Sequence, residues 1–580
     1  MSGDKKTLRP QEESPPGMSL LRELPGHTNH QINELAWSPD GEMLASASYD
    51  FFYPVCIWST QSGELLQTLR EHTDAVYTVA WSPDGQTLAS ASSDGFILLW
   101  SAESKTFAQS IKAHGEAVYS LSWSLDGQTL ASGSLDESAP LRLWSAQSGA
   151  LLRTLNPLMG EQVWSVAWSP DGQVLASATL SGRIRLWDAH GVLQPTRIAH
   201  YQSVYSVAWS PDGQAIAAAS ASGAISISNA KTGPVAAILE NHTQPATCVR
   251  FSPDGRLLAS KGRDACLRLW RCDTWEQVAV ISEGGIANPG GLAFHPRERK
   301  LATLGRGDRV IRIWELDYDV LLGTAAQSDT SHYRNAKVVL VGDSGVGKTG
   351  LGLVLIGEEW KPTESTHGRH VWSFESGEVD LPDGRREMRE TLLWDLAGQP
   401  GYRLIHQLHL NEVAVALVVF DVRSETEPFS GVRHWDRALR QAQKLQAGAA
   451  VPLKKYLVAA RADRGGIPVS RERIEATVRE LGFDGYFETS AKEGWKIQEL
   501  IKVVHEGISW DGLPSVSSNQ LFQTIKEFLI AEKEAGRLLS TADDLYRSFQ
   551  QTHPGLANDK ELRAKFDTCV GRVENRGLIR

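Results

Sequence analysis

One phrase recurs through the first half of the chain and limits the folds open to it. Trp37-Ser38-Pro39-Asp40-Gly41 returns, intact or nearly so, from Trp81, Trp123, Trp168, Trp209 and Phe251, and in degraded form from Phe294. Pro, Asp and Gly in that order are turn residues, since Pro presets one backbone angle and Gly accepts the left-handed one. A small apolar run follows each turn, as in Leu88-Ala89-Ser90-Ala91-Ser92. Each unit then closes on an apolar strand ending in Trp: Trp58, Trp100, Trp144, Trp187, Trp270 and Trp314, with Ser228 in that seat in the fifth unit. Successive closures lie 41 to 44 residues apart. A fixed period of this size means that each unit is one supersecondary element that buries its apolar face against the next copy.

This period, with four short strands per unit, resembles the WD-repeat family over about half of the chain. The resemblance implies a seven-bladed all-β propeller across residues 19–316, after a disordered lead at 1–18. His72, His114, His200 and His242 match the family's histidine seat, and Asp94, Asp136 and Asp264 precede their Trp by six to eight residues. The family uses such residues in a structural hydrogen-bond network, so no metal site is expected from them. The segment Leu20-Leu21-Arg22-Glu23-Leu24 precedes the first repeat and is expected to supply the outer strand of the last blade. Just after the Val that opens the inner strand stand Tyr77, Tyr119, Trp164 and Tyr205, with Asn33 and Thr247 at the same seat in units one and six. In related propellers this position looks toward the channel mouth. Four aromatics there suit a protein partner, because Tyr and Trp dominate interface hot spots; packing between blades is the other reading.

The second half opens on a different signal. Gly342-Asp343-Ser344-Gly345-Val346-Gly347-Lys348-Thr349, followed by Gly350, is a complete G-x-x-x-x-G-K-[ST] loop after the apolar run Ala336 to Val341. Strand, glycine-rich loop and helix cradle phosphates on backbone amides, with Lys348 reaching the β- and γ-phosphates and Thr349 the Mg²⁺. Candidate strands at 337–341, 369–376, 389–395, 413–420, 454–460 and 485–488 alternate with helical stretches, an α/β pattern across 336–510 after a linker at 317–335.

Asp395-Leu396-Ala397-Gly398-Gln399 resembles the switch II motif of Ras- and Rab-like small GTPases. That match implies that Asp395 holds Mg²⁺, that the Gly398 amide senses the γ-phosphate and that Gln399 orients the attacking water. Glu488-Thr489-Ser490-Ala491-Lys492 is similar to the same family's base loop, in which the Ala491 amide meets the guanine carbonyl. Ser344 matches Rab-like phosphate loops. Two places depart. The base motif reads Ala460-Arg461-Ala462-Asp463: Asp463 keeps the carboxylate for the guanine N–H groups and Arg461 supplies a cationic surface, but Ala460 lacks the usual Asn amide. A lost buried hydrogen bond costs ~1–3 kcal/mol, which weakens binding by roughly tenfold or more. Switch I, Lys361 to Gly368, offers Thr366 as the Mg²⁺ ligand, with Thr363 as the alternative. Arg369 and Arg403 lie near the switches as surface residues or sources of a catalytic arginine.

Residues 511–580 form a small, mostly helical module that resembles a winged helix weakly, with Leu521, Phe522, Ile525, Phe528 and Leu529 on one helical stripe. It holds ten Lys/Arg and ten Asp/Glu, so a packing or dimerisation role is favoured over DNA binding. The chain stops where a wing would continue, as a truncated protein would. The net charge of −10 argues against nucleic acid, and five scattered cysteines fit a reducing compartment. No apolar run reaches the ~20 residues that span a bilayer; a cytoplasmic protein is expected. Fusion of an interaction repeat to a Ras-like domain resembles prokaryotic multidomain regulatory and Roc-type GTPases. The expectation is a GTP/GDP- and Mg²⁺-dependent switch that hydrolyses slowly, with an activating partner or nucleotide-dependent dimer. A non-catalytic GTP-bound scaffold and a signalling ATPase are the rivals.

Overall fold

The computed structural model describes residues 14–25, 27, 31–49, 55–155, 161–194, 198–199, 202–231, 235–282, 291–305, 309–323, 330–362, 369–381, 386–398, 410, 413–421, 429–445, 452–464, 469–535, 541–553, 556 and short pieces of 562–570. They form two compact units. The first comprises residues 1–194, 199–231 and 239–330; the second comprises 195–198, 232–238 and 331–580.

In the first unit the repeated phrase builds the turn its residues dictate. Ser82 Oγ donates to Asp84 Oδ1 at 2.5 Å, and the Thr87 amide donates back to Ser82 Oγ at 2.9 Å. Gly85 takes the left-handed conformation at φ +71°. The same Ser–Asp bond recurs at Ser38, Ser124, Ser169, Ser210 and Ser252. The turn joins an inner strand such as Val76–Trp81 to a buried one such as Thr87–Ser92. Alanines on these second strands, among them Ala45, Ala89, Ala131 and Ala176, are fully buried. Their small side chains let neighbouring blades approach closely.

Each closing Trp is pinned. The indole N–H donates to a hydroxyl on the second strand: Trp58 to Ser46, Trp100 to Ser90, Trp144 to Ser132, Trp187 to Ser177, Trp270 to Ser260 and Trp314 to Thr303, all at 2.8–3.0 Å. His72 and His242 bond the same serines and, through Nδ1, Asp94 and Asp264. His114 bonds Ser132, but Asp136 turns instead to Ser138 and the Gly115 amide. His200 lies outside the described residues.

The expected seven blades are corrected to six. Among the described residues there are six discrete four-stranded sheets in this unit, and the fifth repeat does not form a seventh of its own. The cause is local. Ser228 replaces the pinning Trp, and its buried hydroxyl has no partner among the described residues. Residues 232–238, at the repeat's outer edge, fall outside the propeller's compact unit. Six pins thus match the six discrete sheets. In the last of them, Met18–Leu24 pairs antiparallel with Val310–Leu316, the expected N-terminal latch.

In the second unit, Thr330–Val341 runs parallel to Arg386–Leu396 and to Val413–Asp421, which is followed by Lys454–Ala460 and Gly485–Glu488. Arg369–Asp380 pairs antiparallel with Arg386–Leu396. Apolar β-branched runs make this sheet core, as parallel strands covered on both faces require. Helices Ser430–Leu445 and Ile497–Gly507 contribute to separate cores. Of the C-terminal module, helices Gln520–Glu534 and Ala542–Thr552 are described. Phe522, Ile525, Phe528 and Leu529 of the expected stripe are buried, and residues 573–580 lie outside the described set. Among the described residues no helix is long and apolar enough to cross a membrane.

Candidate functional site

The strand Thr330–Val341 delivers the chain into a loop whose shape depends on glycine. Gly342 has φ +153°, and a Cβ there would stand 2.1 Å from the Val419 carbonyl oxygen. Gly345 and Gly347 take φ +78° and +101°, Gly347 opening the helix Lys348–Leu355. Val346 turns inward, into one core with Leu351 and Ala460. The Asp343 carboxylate lies against the backbone of Gly431.

Lys348 is 5% exposed, and its Nζ donates to the carbonyls of Gly342 at 3.0 Å and Asp343 at 2.8 Å. Burial pushes its ammonium below the usual lysine range, opposed by Asp395 and Asp343. Thr349 Oγ1 donates to Asp395 Oδ2 at 2.6 Å. Asp395 is fully buried at the end of Arg386–Leu396, the parallel neighbour of the strand feeding the loop. Three residues on, Gly398 presses against the loop: a Cβ would stand 2.3 Å from the Asp343 carbonyl carbon and 2.4 Å from the Ser344 nitrogen. A hydroxyl and a carboxylate beside a phosphate-type loop are hard oxygen donors that fit Mg²⁺.

A cleft beside the loop is lined by Gly347, Gly350, Arg461, Asp463, Ala491 and Lys492, all singled out in the sequence. It is also lined by Trp360, Lys361, Pro362, Ala460 and Thr489. Backbone bonds fix its far wall: Ala462 N donates to Thr489 O at 3.1 Å, and Thr489 N to Ala459 O at 2.8 Å. Ser490 is buried and accepts from the Glu493 amide, which shapes the Ala491–Lys492 turn. Arg461 has φ +62°, with its guanidinium 3.8 Å from Asp421 and its Nε close to Gly347. Trp360 was missed; its signal is a lone aromatic in the polar stretch Gly357-Glu358-Glu359-Trp360-Lys361, twelve residues after Lys348. Thr366, Gln399, Thr363 and Arg403 lie outside the described residues. Arg369 stands over the Trp394 ring at 5.1 Å.

In the propeller the four aromatics form one ladder. Tyr77 and Tyr119 stack at 4.3 Å, Tyr119 and Trp164 lie at 4.5 Å, and Trp164 meets Tyr205 edge-on at 5.6 Å. Tyr49 extends it at 5.5 Å, and Arg263 covers Tyr205 at 5.6 Å. Each sits where the register slips, between Val76 and Thr78, Val118 and Ser120, Val163 and Ser165, and Val204 and Ser206. A β-bulge re-aims the extra residue's side chain, which explains how successive blades present rings to one another.

Comparison with known families agrees with both halves. The model of the IFT122 first beta-propeller matches residues 31–191 and 95–332, and the Ras family model matches residues 337–509. The chain is 32% identical over 170 residues to the Ras-related protein Rab-7L1 of Rattus norvegicus, covering 29% of this chain and 80% of that protein. It is 31% identical over 176 residues to the Ras-related protein Rab-32 of Sus scrofa, covering 30% and 74% respectively. The chain therefore belongs to the IFT122 first beta-propeller family through its N-terminal half and to the Ras family through residues 337–509, and is a fusion of a β-propeller with a Ras-family GTPase domain.

Proposed function

We propose that this chain is a GTP-binding molecular switch that hydrolyses GTP slowly and whose propeller recruits a protein partner. One observation carries the reading: Lys348, Thr349, Asp395 and Gly398 converge on one glycine loop beside a cleft holding Arg461, Asp463 and Ala491. Lys348 neutralises the β- and γ-phosphates. Thr349 and Asp395 would hold Mg²⁺, which supplies charge compensation across those phosphates. Asp463 accepts the guanine N–H groups, the Ala491 amide faces the base carbonyl, and Trp360 and Arg461 offer flat surfaces to the ring. Gln399 orients a water that adds to the γ-phosphorus as the bond to the bridging oxygen breaks, giving GDP and phosphate. Ras-type domains alone turn over at ~10⁻⁴ s⁻¹, and a partner or a second copy would raise that.

Single-turnover hydrolysis tests the reading. Lys348→Ala should abolish tight binding, and Gln399→Ala should keep binding while slowing cleavage. Equal cleavage in wild type and Gln399→Ala would remove the catalytic assignment. Competition among GTP, ATP and XTP tests the base. The aromatic ladder is the candidate docking site, since Tyr and Trp are enriched in interface hot spots. Capture of partners by the wild type but not by Tyr119→Ala/Trp164→Ala is expected; undiminished capture would sink the ladder as the docking site.

A further inference from the structure

The C-terminal module shares its core with the strand that carries the nucleotide-facing carboxylate. Ser515–Asn519 lies next to Thr330–Val341 in the sheet. Ser517 and His332, both buried, share a hydrogen bond of 2.8 Å. The helix that follows, Gln520–Glu534, buries Phe522, Ile525 and Phe528 in one cluster with Leu392, Trp394 and Leu396. A charge enters this interface. Lys526 Nζ donates to Glu390 Oε2 at 2.7 Å and stands 5.1 Å from the Tyr333 ring. Both partners are only 8% exposed.

A buried ammonium is costly unless paired, and removing one partner strands the other. This pair therefore fixes where the helix sits on the strand. Glu390, Leu392 and Trp394 share one face of that strand, because strand side chains alternate with period two. The strand runs unbroken from Arg386 to Leu396, so the ion pair and the Asp395–Thr349 bond are on one rigid element. Gly398, pressed on the loop, follows at once. Packed elements of this kind shift between discrete arrangements rather than flexing continuously.

We propose that the helix Gln520–Glu534 is a built-in reader of the nucleotide state, docked through Lys526 and Glu390 on the strand that carries Asp395. The proposal rests on the GTP-switch reading above. If docking differs between the GTP and GDP states, linkage requires that breaking it change the relative affinity for the two nucleotides.

The test uses the full chain with Mg²⁺ and either GDP or a non-hydrolysable GTP analogue. In the wild type, amide exchange over residues 520–534 should differ between the two loaded forms. Lys526→Met should lose protection there, keep it in Val413–Asp421, and shift the GDP-to-analogue affinity ratio by about fivefold or more. Lys526→Arg should restore the wild-type ratio. Loss of protection with an unchanged ratio overturns the proposal. Should Lys526→Met fail to fold, the wild-type exchange comparison decides: equal exchange in both forms overturns it. A wild type that binds neither guanine nucleotide overturns the switch reading and this one with it, whereas binding with equal exchange overturns this one alone.

Discussion

Ala460 shows how much a single side chain decides. It lines the cleft beside the glycine loop and packs beside Gly347, where a Cβ would lie 3.6 Å from its own. A methyl offers the base no hydrogen bond, so Ala460→Asn should tighten GDP binding by roughly tenfold. Titration with a fluorescent GDP checks this, and unchanged affinity would mean that position 460 does not face the base. His114 carries a second prediction. It is buried, its Nδ1 has no partner among the described residues, and burial followed by the Arg142 guanidinium holds its pKa at about 4. The folded value is below the unfolded one, so the unfolded chain takes up the proton first. Stability is then fully present above about pH 6.5 and is lost as pH falls toward 4, each pKa unit being worth about 1.4 kcal/mol. A fall in Tm across that window, flattened in His114→Gln, is expected. At this scale the sequence is readable where residues are contiguous: the glycine loop, Asp395 and the Ala491 turn all stand in one unit. Trp360 was not readable, because only the fold brings it beside Gly350, with its Nε1 3.2 Å from where a Cβ on that glycine would be.

Elements are where the reading of the repeat met its limit. Turn, inner strand and pinned second strand each follow from a few adjacent residues, and they appear as the sequence implies. Whether a repeat stands as a sheet of its own is not a property of those few residues. Six Trp–hydroxyl bonds anchor six blades, and Ser228 leaves the fifth repeat without one. Trp270→Phe keeps the ring's bulk and removes only the bond to Ser260. It should destabilise the propeller by about 1–2 kcal/mol, since Ser260 and His242 remain buried; urea unfolding measures this. A null result would mean that bulk alone makes the anchor. The bulges beneath Tyr77, Tyr119, Trp164 and Tyr205 were invisible for a related reason. A register slip is a property of two paired strands, whereas the sequence shows each strand alone. The Lys526–Glu390 pair, 136 residues apart in the chain, has no local signature at all.

At the scale of the whole molecule, the proposed partner-recruiting ring and nucleotide switch lie in one chain, which makes partner affinity the quantity to follow. If they act together, the partner's affinity should differ between the GTP-analogue and GDP forms, measurable by calorimetry; identical values would uncouple them. The latch matters at this scale too. Deleting residues 1–24 leaves Val310–Leu316 as an open edge with unpaired backbone groups, and the shortened chain should self-associate at concentrations where the full chain stays dispersed, as light scattering would reveal. The latch also has a history in time. Within the propeller Met18–Leu24 is synthesised before every other strand, yet its partner leaves the ribosome almost 300 residues later. At ~5–20 residues per second, that strand waits roughly 15–60 s with Leu20 and Leu21 unpaired. Within the propeller the first strand made is thus the last to be satisfied, so this strand is where a nascent-chain chaperone would have the longest hold on the ring.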